Sequence, residues 1–383
     1  KRLYLDYNAS APVLDEARNA VIEALGITGN PSSVHREGRA ARALVESARR
    51  SVAALVNAKP EHVFFTSGAT EAASTLLTPI YMMGRSPVRL SHLYVSATEH
   101  PCMLAGGQFA PDNITVLPVD GNGILRLDAL EQALKAHDKS AGLPLVAVQA
   151  GNNETGVIQP IREIAALVKT AGGIFVVDAV QAAGRIKIDI TNGCGDYLII
   201  SSHKIGGPKG VGAVIAISDL MMPKALVRGG GQEKGHRAGT EALPLIAGFG
   251  AAADVAATRL NGNGWSFEAR DRLETGLMEI APSATIHGKS VDRLPNTTFF
   301  SLDGQKAETV QIAFDLGGIA LSAGSACSSG KVGPSHVLAA MGLEEGPGAI
   351  RVSLEPNAPI ESVDQFLDVL RKIVARHERS KAS

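Results

Sequence analysis

Cysteine and large aromatic residues are scarce in this 383-residue chain, which has three Cys, one Trp and five Tyr. The cysteines stand at positions 102, 194 and 327, and no two of them form a Cys-x-x-Cys pair. A disulfide framework is therefore not expected, and this usage favours a reducing compartment, which predicts a cytoplasmic protein. His100 and Cys102 alone are too few ligands for a metal centre, so no metal site is predicted.

Neither sign of charge dominates, and long apolar runs are missing. Lys and Arg total 37 against 38 Asp and Glu. No basic face is implied, which argues against a nucleic-acid partner. No run approaches the roughly 18 to 20 apolar residues of a spanning helix, and the opening KRLYLDYNAS lacks the apolar core of a signal peptide, so no membrane association is expected. The first apolar strand is not followed by Gly-x-Gly-x-x-Gly, which argues against a nicotinamide-binding enzyme.

Short apolar segments alternate with helical patterns through most of the chain. The predicted strands are 63–65, 93–96, 114–118, 145–149, 174–178, 197–200 and 211–217. Helical patterns at 70–82, 127–137 and 161–171 separate several of them, which indicates a largely parallel sheet wrapped by helices. The C-terminal part has fewer strands and predicts a smaller α+β domain. We place the large domain at 13–255 and the small one at 1–12 plus 256–383.

The segment YLIISSHKIGGPKG, residues 197–210, carries the strongest site signal. An apolar strand ends there in Ser201, His203 and Lys204, and ligands of open α/β sheets bind beyond the carboxyl ends of strands. A lysine among apolar strands is expected to have a lowered pKa and to act as an amine nucleophile toward a carbonyl. The alternatives are a surface lysine in a glycine loop and, as nucleophile, Lys209 beyond the Gly-Gly-Pro turn.

Other predicted strands also end in polar residues. TSGATEA places Ala69 and Thr70 at a helix start that suits a phosphate, although such residues also make ordinary helix caps. His100 follows a second strand, and Asp178 ends a third, where a carboxylate is costly to bury without a cationic partner. A phosphate site, an acid for a protonated nitrogen, a stacking His and a lysine able to form a Schiff base together match pyridoxal 5'-phosphate.

Ten blocks follow one another in the order found in one enzyme family: YLDYNASAPV, GNPSSVHREGR, TSGATEA, the EH of ATEHP, NNETG, VDAVQ, SSHKIGGPKGVGA, GGGQEKGHRAGT, SAGSACSSG and IRVSL. They resemble the cysteine desulfurases of the NifS/IscS type, in the class V aminotransferase group of fold-type I pyridoxal-phosphate enzymes. The resemblance covers nearly the whole chain. It implies an α/β, fold-type I transferase with a large, mostly parallel seven-stranded sheet domain and a smaller α+β domain.

The resemblance also implies a role for each matched position around the cofactor. Lys204 would form the Schiff base, His100 would stack on the ring and assist proton transfer, and Asp178 would pair with the ring nitrogen. Thr240 would reach the phosphate of a neighbouring subunit, which implies a homodimer. The remaining cofactor contacts would be Ala69, Thr70, Ser201 and His203 at the phosphate, with Gln181 and Asn153 near the phenolic oxygen.

The substrate and the nucleophile are implied in the same way. Arg351 would bind the substrate carboxylate, with Asn8 and Asn153 close to the substrate. Cys327 has few apolar neighbours in the sequence, so an exposed thiol is expected there, whereas the other two cysteines are interpreted as ordinary. The implied reaction converts L-cysteine to L-alanine and leaves a persulfide on Cys327 for an acceptor such as an iron–sulfur scaffold protein.

Two rival functions stay open from the sequence. One is a selenocysteine lyase, or another pyridoxal-phosphate lyase on the same fold; Cys327 argues against a lyase that needs no thiol but not against selenocysteine as a substrate. The other is a catalytically silent partner in a sulfur pathway, which the presence of every catalytic position disfavours.

Overall fold

The computed structural model describes residues 2–262, 264–265, 267–324, 335–344 and 346–382. Within these ranges the helices are α1 (Asp15–Leu25), α2 (Arg36–Leu55), α3 (Ala69–Leu76), α4 (Pro101–Leu104), α5 (Leu127–Ala136), α6 (Ile161–Ala171), α7 (Leu243–Asn261), α8 (Glu268–Ile280), α9 (Ala307–Leu316), α10 (His336–Ala340) and α11 (Ile360–Ala382). Short 3-10 turns include Ser202–Lys204 and Gln232–Gly235.

The described strands fall into one large and two small sheets. They are β1 (Leu3–Tyr4), β2 (Val63–Thr66), β3 (Ile80–Met83), β4 (Ser86–Ser96), β5 (Ile114–Leu117), β6 (Leu143–Gln149), β7 (Ile174–Asp178), β8 (Tyr197–Ser201), β9 (Gly212–Ala216), β10 (Met221–Pro223), β11 (Thr285–Ile286), β12 (Thr297–Ser301), β13 (Ile319–Ala320), β14 (Ser322–Ala323) and β15 (Ile350–Ser353).

The large sheet runs in the order β10-β3-β4-β6-β7-β8-β9-β2, with β5 also paired to β4. Strands β5, β4, β6, β7 and β8 pair in parallel, whereas β9 and β2 join antiparallel. All seven predicted strands are therefore present, and the predicted α/β fold is found. Two further antiparallel strands, β3 and β10, extend the β4 edge.

One predicted helix was wrong in its second half. The helical pattern at 70–82 ends at Leu76, and residues 80–83 form β3, which makes a hairpin with β4. The apolar run there satisfies both a helical and a strand pattern over a few residues, and pairing with β4 decides between them.

The central strands are buried on both faces because alternate side chains feed two separate cores. Val146, Val177 and Leu198 pack with α1, α2, α5, α6 and α7 on one face. On the other face, Val176 and Ile199 pack with α3 and its neighbours. This double burial explains why the strands read as continuous apolar runs, and it leaves their ends as the place for polar groups.

Helix α7 is, among the described residues, the one helix long and apolar enough to cross a membrane by length and composition alone. Half of its apolar window is buried inside the protein. Phe249, Ala252, Ala253 and Ala256 belong to the core that also contains α1 and α2. These contacts are those of a core helix.

A third core belongs to the small antiparallel sheet, β11-β12-β15-β14. Helices α8, α9 and α11 cover it, and the rings of Phe314 and Phe366 stack there with centroids 4.9 Å apart. The N-terminal strand β1 pairs in parallel with β13, so the start of the chain returns to this part of the fold. The domain boundaries at 13–255 and at 1–12 plus 256–383 stay a prediction.

Candidate active site

A cavity of about 420 Å³ lies at the carboxyl ends of the parallel strands. The turn after β8 brings Lys204 to it, the end of β7 brings Asp178, and the turn after β4 brings His100. These three residues lie far apart in the sequence and meet because parallel strands present the same ends to one edge of the sheet. The cavity therefore lies at the position where open α/β sheets bind their ligands, beyond the carboxyl ends of the strands.

The phosphate end predicted from the sequence lies at the start of α3. Ala69 and Thr70 open this helix and line the cavity, together with Ser201 and His203. The backbone comes close here: a Cβ added to Gly212 on β9 would lie 2.9 Å from the Cα of Gly68. Glycine at 212 thus allows the turn before α3 to sit against the sheet, so that the helix N-terminus faces the cavity.

Asp178 is buried at the end of β7. Its Oδ1 accepts the backbone N–H of Val180 at 2.9 Å, and no cationic side chain within the described ranges forms an ion pair with it. Burial raises the pKa of Asp178 to about 6, against the lowering effects of the Val180 N–H and the Lys204 charge. This carboxylate would gain from a cation placed in the cavity.

A second buried carboxyl, which the sequence reasoning did not single out, lies beside it. Glu99 is fully buried and accepts the backbone N–H of Gln149 at 2.6 Å. Burial, and then the nearby Asp178, raise the pKa of Glu99 well above its usual range. Its Oε2 has no hydrogen-bond partner in the described part of the chain. The only sequence signal was its place next to His100 after an apolar strand.

Lys204 points its ammonium at the N-terminal segment. Its Nζ donates to the backbone oxygens of Asn8 at 2.7 Å and Ala9 at 2.9 Å. Gln181 contacts the same segment, since its Nε2 donates to the Asn8 carbonyl at 3.0 Å. The Gln181 Oε1 is buried and has no partner among the described residues. Residues 8 and 9 thus hold two groups of the cavity wall in place.

The predicted substrate residues adjoin the cavity through one backbone oxygen. The carbonyl of Asn153 accepts from Nη1 of Arg351 at 3.0 Å and from Nδ2 of Asn8 at 3.2 Å. Nη2 of Arg351 donates to Asp6 at 2.8 Å, and the arginine is 2 % exposed. Arg351 is therefore a buried, oriented guanidinium on β15 of the small sheet and not a surface arginine.

His100 caps α4 with its ring. Its Nδ1 accepts the backbone N–H of Cys102 at 3.2 Å, and the Cys102 sulfur lies 3.0 Å from the same nitrogen. Cys102, interpreted from the sequence as an ordinary cysteine, lines the cavity. The described residues contain no cluster of three or more His, Cys, Asp or Glu suited to a metal ion.

Besides Asn8 and Arg351, which contact the cavity wall at Asn153, two further predicted residues are not among those lining this cavity. Thr240 is exposed on the segment that follows the 3-10 turn Gln232–Gly235. The nearby Arg237 donates to Glu71 of α3 at 3.0 Å, which ties that segment to the phosphate end. The predicted contact of Thr240 with a neighbouring subunit stays a prediction. Cys327 lies outside the described residues.

Comparison with known proteins decides the family. Residues 3–366 match the sequence model of the family described as aminotransferase class-V. The chain belongs to this family. A cysteine desulfurase of Cereibacter sphaeroides is 39 % identical, with 98 % of this chain and 96 % of the relative covered.

Solved structures agree with the sequence match. The structure of a NifS-like protein from Rickettsia africae has a TM-score of 0.86 and 32 % identity, covering 97 % of this chain and 99 % of that one. A structure of SspA in complex with cysteine has a TM-score of 0.75 and 27 % identity, covering 94 % and 100 %. The chain is thus an enzyme of the cysteine desulfurase group, which depends on pyridoxal phosphate.

The described residues fit that cofactor. The buried carboxylate of Asp178 has no ion-pair partner in the described part of the chain, and a protonated pyridine nitrogen is a cation of the right kind. The orphaned Oε1 of Gln181 and the helix start at Ala69 offer polar contacts at other edges of the same cavity. Lys204 supplies the amine that the cofactor aldehyde needs.

Proposed function

We propose that this enzyme converts L-cysteine to L-alanine and moves the sulfur onto Cys327 as a persulfide. The observation that carries the proposal is the single cavity in which Lys204, His100 and Asp178 meet at the ends of parallel strands. The proposal is also supported by the cysteine seen with SspA and by the desulfurase relatives.

The residues divide the work of binding the cofactor. When bound, pyridoxal phosphate supplies an electron sink for the bonds around the substrate α-carbon. Asp178 would hold the ring nitrogen in its protonated form, and His100 would stack on the ring. Ala69, Thr70, Ser201 and His203 would bind the phosphate, with Gln181 and Asn153 near the phenolic oxygen.

Lys204 and Arg351 would act on the amino acid itself. The Lys204 amine is within reach of a ligand in the cavity and would take the α-proton. Arg351 would bind the substrate carboxylate, since a buried guanidinium held by Asp6 and the Asn153 carbonyl is already oriented for a planar partner. Asn8 lies beside it, in contact with the same carbonyl.

Sulfur transfer would then be one exchange of bonds. The Cys327 thiolate attacks the sulfur of L-cysteine, a sulfur–sulfur bond forms and the carbon–sulfur bond breaks. The electron pair of that bond and a proton go to the carbon that becomes the alanine methyl group. The persulfide would pass its outer sulfur to an acceptor such as an iron–sulfur scaffold protein. A homodimer, in which Thr240 reaches the neighbouring phosphate, and a cytoplasmic location belong to the same proposal.

The test is to add L-cysteine to the purified protein with a persulfide-reactive label. A visible absorption band that shifts with cysteine, alanine formation and label on Cys327 are expected. Cys327→Ala should keep the band and lose alanine formation and label, whereas Cys194→Ala should keep all three, because Cys194 packs on the large core away from the cavity. Undiminished alanine formation by Cys327→Ala contradicts the persulfide step. Selenide release from selenocysteine without sulfide release from cysteine would favour the lyase alternative.

A further inference from the structure

Cys102 makes two contacts with one ring nitrogen of His100. Its backbone N–H donates to Nδ1 at 3.2 Å, and its sulfur lies 3.0 Å from the same atom. The first contact has a local cause: Pro101 opens α4 and has no N–H, so the N–H of Cys102 is the first that a capping side chain can accept. The second contact depends on the side chain at 102 being able to face the ring.

These contacts define the protonation of the ring. The backbone N–H contact at 3.2 Å is at the long end of the hydrogen-bond range, so alone it favours a bare Nδ1 without fixing it. With two donors on Nδ1, neutral His100 carries its hydrogen on Nε2. Burial and the Lys204 charge lower the pKa of His100 to about 4. Burial, with Asp178 and Glu99, raises the pKa of Cys102 to about 12. Both side chains are therefore neutral across the working range, and the thiol is a donor in the sulfur contact.

We propose that Cys102 is a positioning residue, whose S–H joins the backbone N–H at Nδ1 and holds His100 as the Nε2–H tautomer. No residue in the described ranges accepts from Nε2, so this N–H is available to a ligand in the cavity. His100 then acts as a hydrogen-bond donor, as other neutral histidines do in enzymes. It does not act as a base, which leaves the α-proton to Lys204. The last two statements rest on the proposed function, but the tautomer does not.

The test is the tautomer of His100 in the cofactor-loaded enzyme labelled with nitrogen-15 in histidine. His100→Gln identifies the signal, since it removes one of ten histidines. The wild type should show Nε2–H, Cys102→Ala a mixture of tautomers, and Cys102→Ser a return toward Nε2–H because a hydroxyl also donates. Cys194→Ala should leave the signal in place. Nδ1–H in the wild type overturns the assignment, and unchanged Nε2–H in Cys102→Ala overturns the role of the thiol.

Kinetics supply the second readout. Losing one neutral hydrogen bond should lower kcat of Cys102→Ala by about two- to tenfold, with KM for cysteine nearly constant, and Cys102→Ser should recover most of the loss. An equal fall in both variants would mean that size, not donation, matters, and would overturn the proposal. A wild type without cysteine activity would refute the proposed function, and the tautomer measurement would still decide the role of Cys102.

Discussion

Replacing Asp178 by Asn is expected to remove a pH-dependent destabilisation of the apoprotein. Asn keeps an oxygen for the N–H of Val180, which Asp178 Oδ1 accepts at 2.9 Å. It also removes a carboxylate whose pKa burial raises from 3.8 to about 6. The same change removes the partner proposed for the cofactor ring nitrogen, so the holoenzyme should lose activity while the apoprotein gains stability at neutral pH.

The size of the effect follows from proton linkage. Between pH 3.8 and about 6 the folded protein binds more protons at Asp178 than the unfolded chain does. Stability from this group is therefore complete below the lower value and is lost as pH rises through the higher one. A pKa shift of about two units lowers the free energy of unfolding by about 3 kcal/mol at pH 8, and about half of this loss has already occurred at pH 5. Between pH 5 and pH 8 the free energy of unfolding of the wild type should therefore fall by about 1 to 2 kcal/mol more than that of the Asn variant.

Urea denaturation of the cofactor-free wild type and Asp178→Asn at pH 5 and pH 8 measures this difference. Any cost of burying the Asn amide is the same at both pH values and cancels in the comparison. Val352→Ala, a buried apolar change in the small sheet, serves as the control with an unchanged pH difference. If the wild type gains stability relative to Asp178→Asn between pH 5 and pH 8, the buried carboxylate does not destabilise the apoprotein at high pH.

Three further outcomes are expected. Glu274→Leu removes the partner of Arg293, which donates to Glu274 at 2.7 and 3.0 Å, and both side chains are at most 6 % exposed. The free energy of unfolding measured in urea should fall by about 3–5 kcal/mol. The double variant with Arg293→Leu should lose less, because it leaves no buried charge unpaired. Gly212→Ala brings a Cβ to 2.9 Å from Gly68 and should weaken cofactor binding in an absorbance titration by about 1–3 kcal/mol. Unchanged affinity would contradict the idea that the close packing of Gly68 on Gly212 places the α3 N-terminus at the cofactor phosphate. Arg351→Lys keeps the charge but loses the fork, so KM for cysteine should rise about tenfold, or about 1.4 kcal/mol, while the absorbance of bound cofactor stays the same.

The sequence predicted the strands and their ends well because both are local signals. A strand buried on two faces must be apolar throughout, and the polar residue that ends it must lie at the edge of the sheet. Lys204, Asp178 and His100 were found in this way. The strand β3 was missed for the opposite reason: its four residues carry too short a pattern to show a period, and only pairing with β4 fixes their conformation.

Long-range contacts were beyond the sequence. Nothing in its pattern shows that the carbonyls of Asn8 and Ala9 receive the Lys204 ammonium, since the two segments are almost two hundred residues apart. The role proposed for Cys102 was missed for another reason, because a local signal was present and was not used. A proline directly after a histidine at a helix start does indicate that the next N–H is open to capping, and that signal, read together with the thiol, would have drawn attention to it.

The charges of the cavity link folding to cofactor binding. Asp178 lies close enough to the buried Glu99 to raise the pKa of Glu99, and the Lys204 ammonium donates its hydrogen bonds to the backbone carbonyls of Asn8 and Ala9. A cationic ring nitrogen in the cavity would therefore stabilise Asp178 and, by fixing its charge, keep Glu99 protonated. The cofactor then contributes most to stability above about pH 6, where the carboxylate would otherwise be charged without a partner. The destabilisation of the apoprotein and the affinity for the cofactor have the same origin, the buried Asp178 carboxylate. If the folded protein itself supplied a cation for this carboxylate, the cofactor ring nitrogen would stabilise it less.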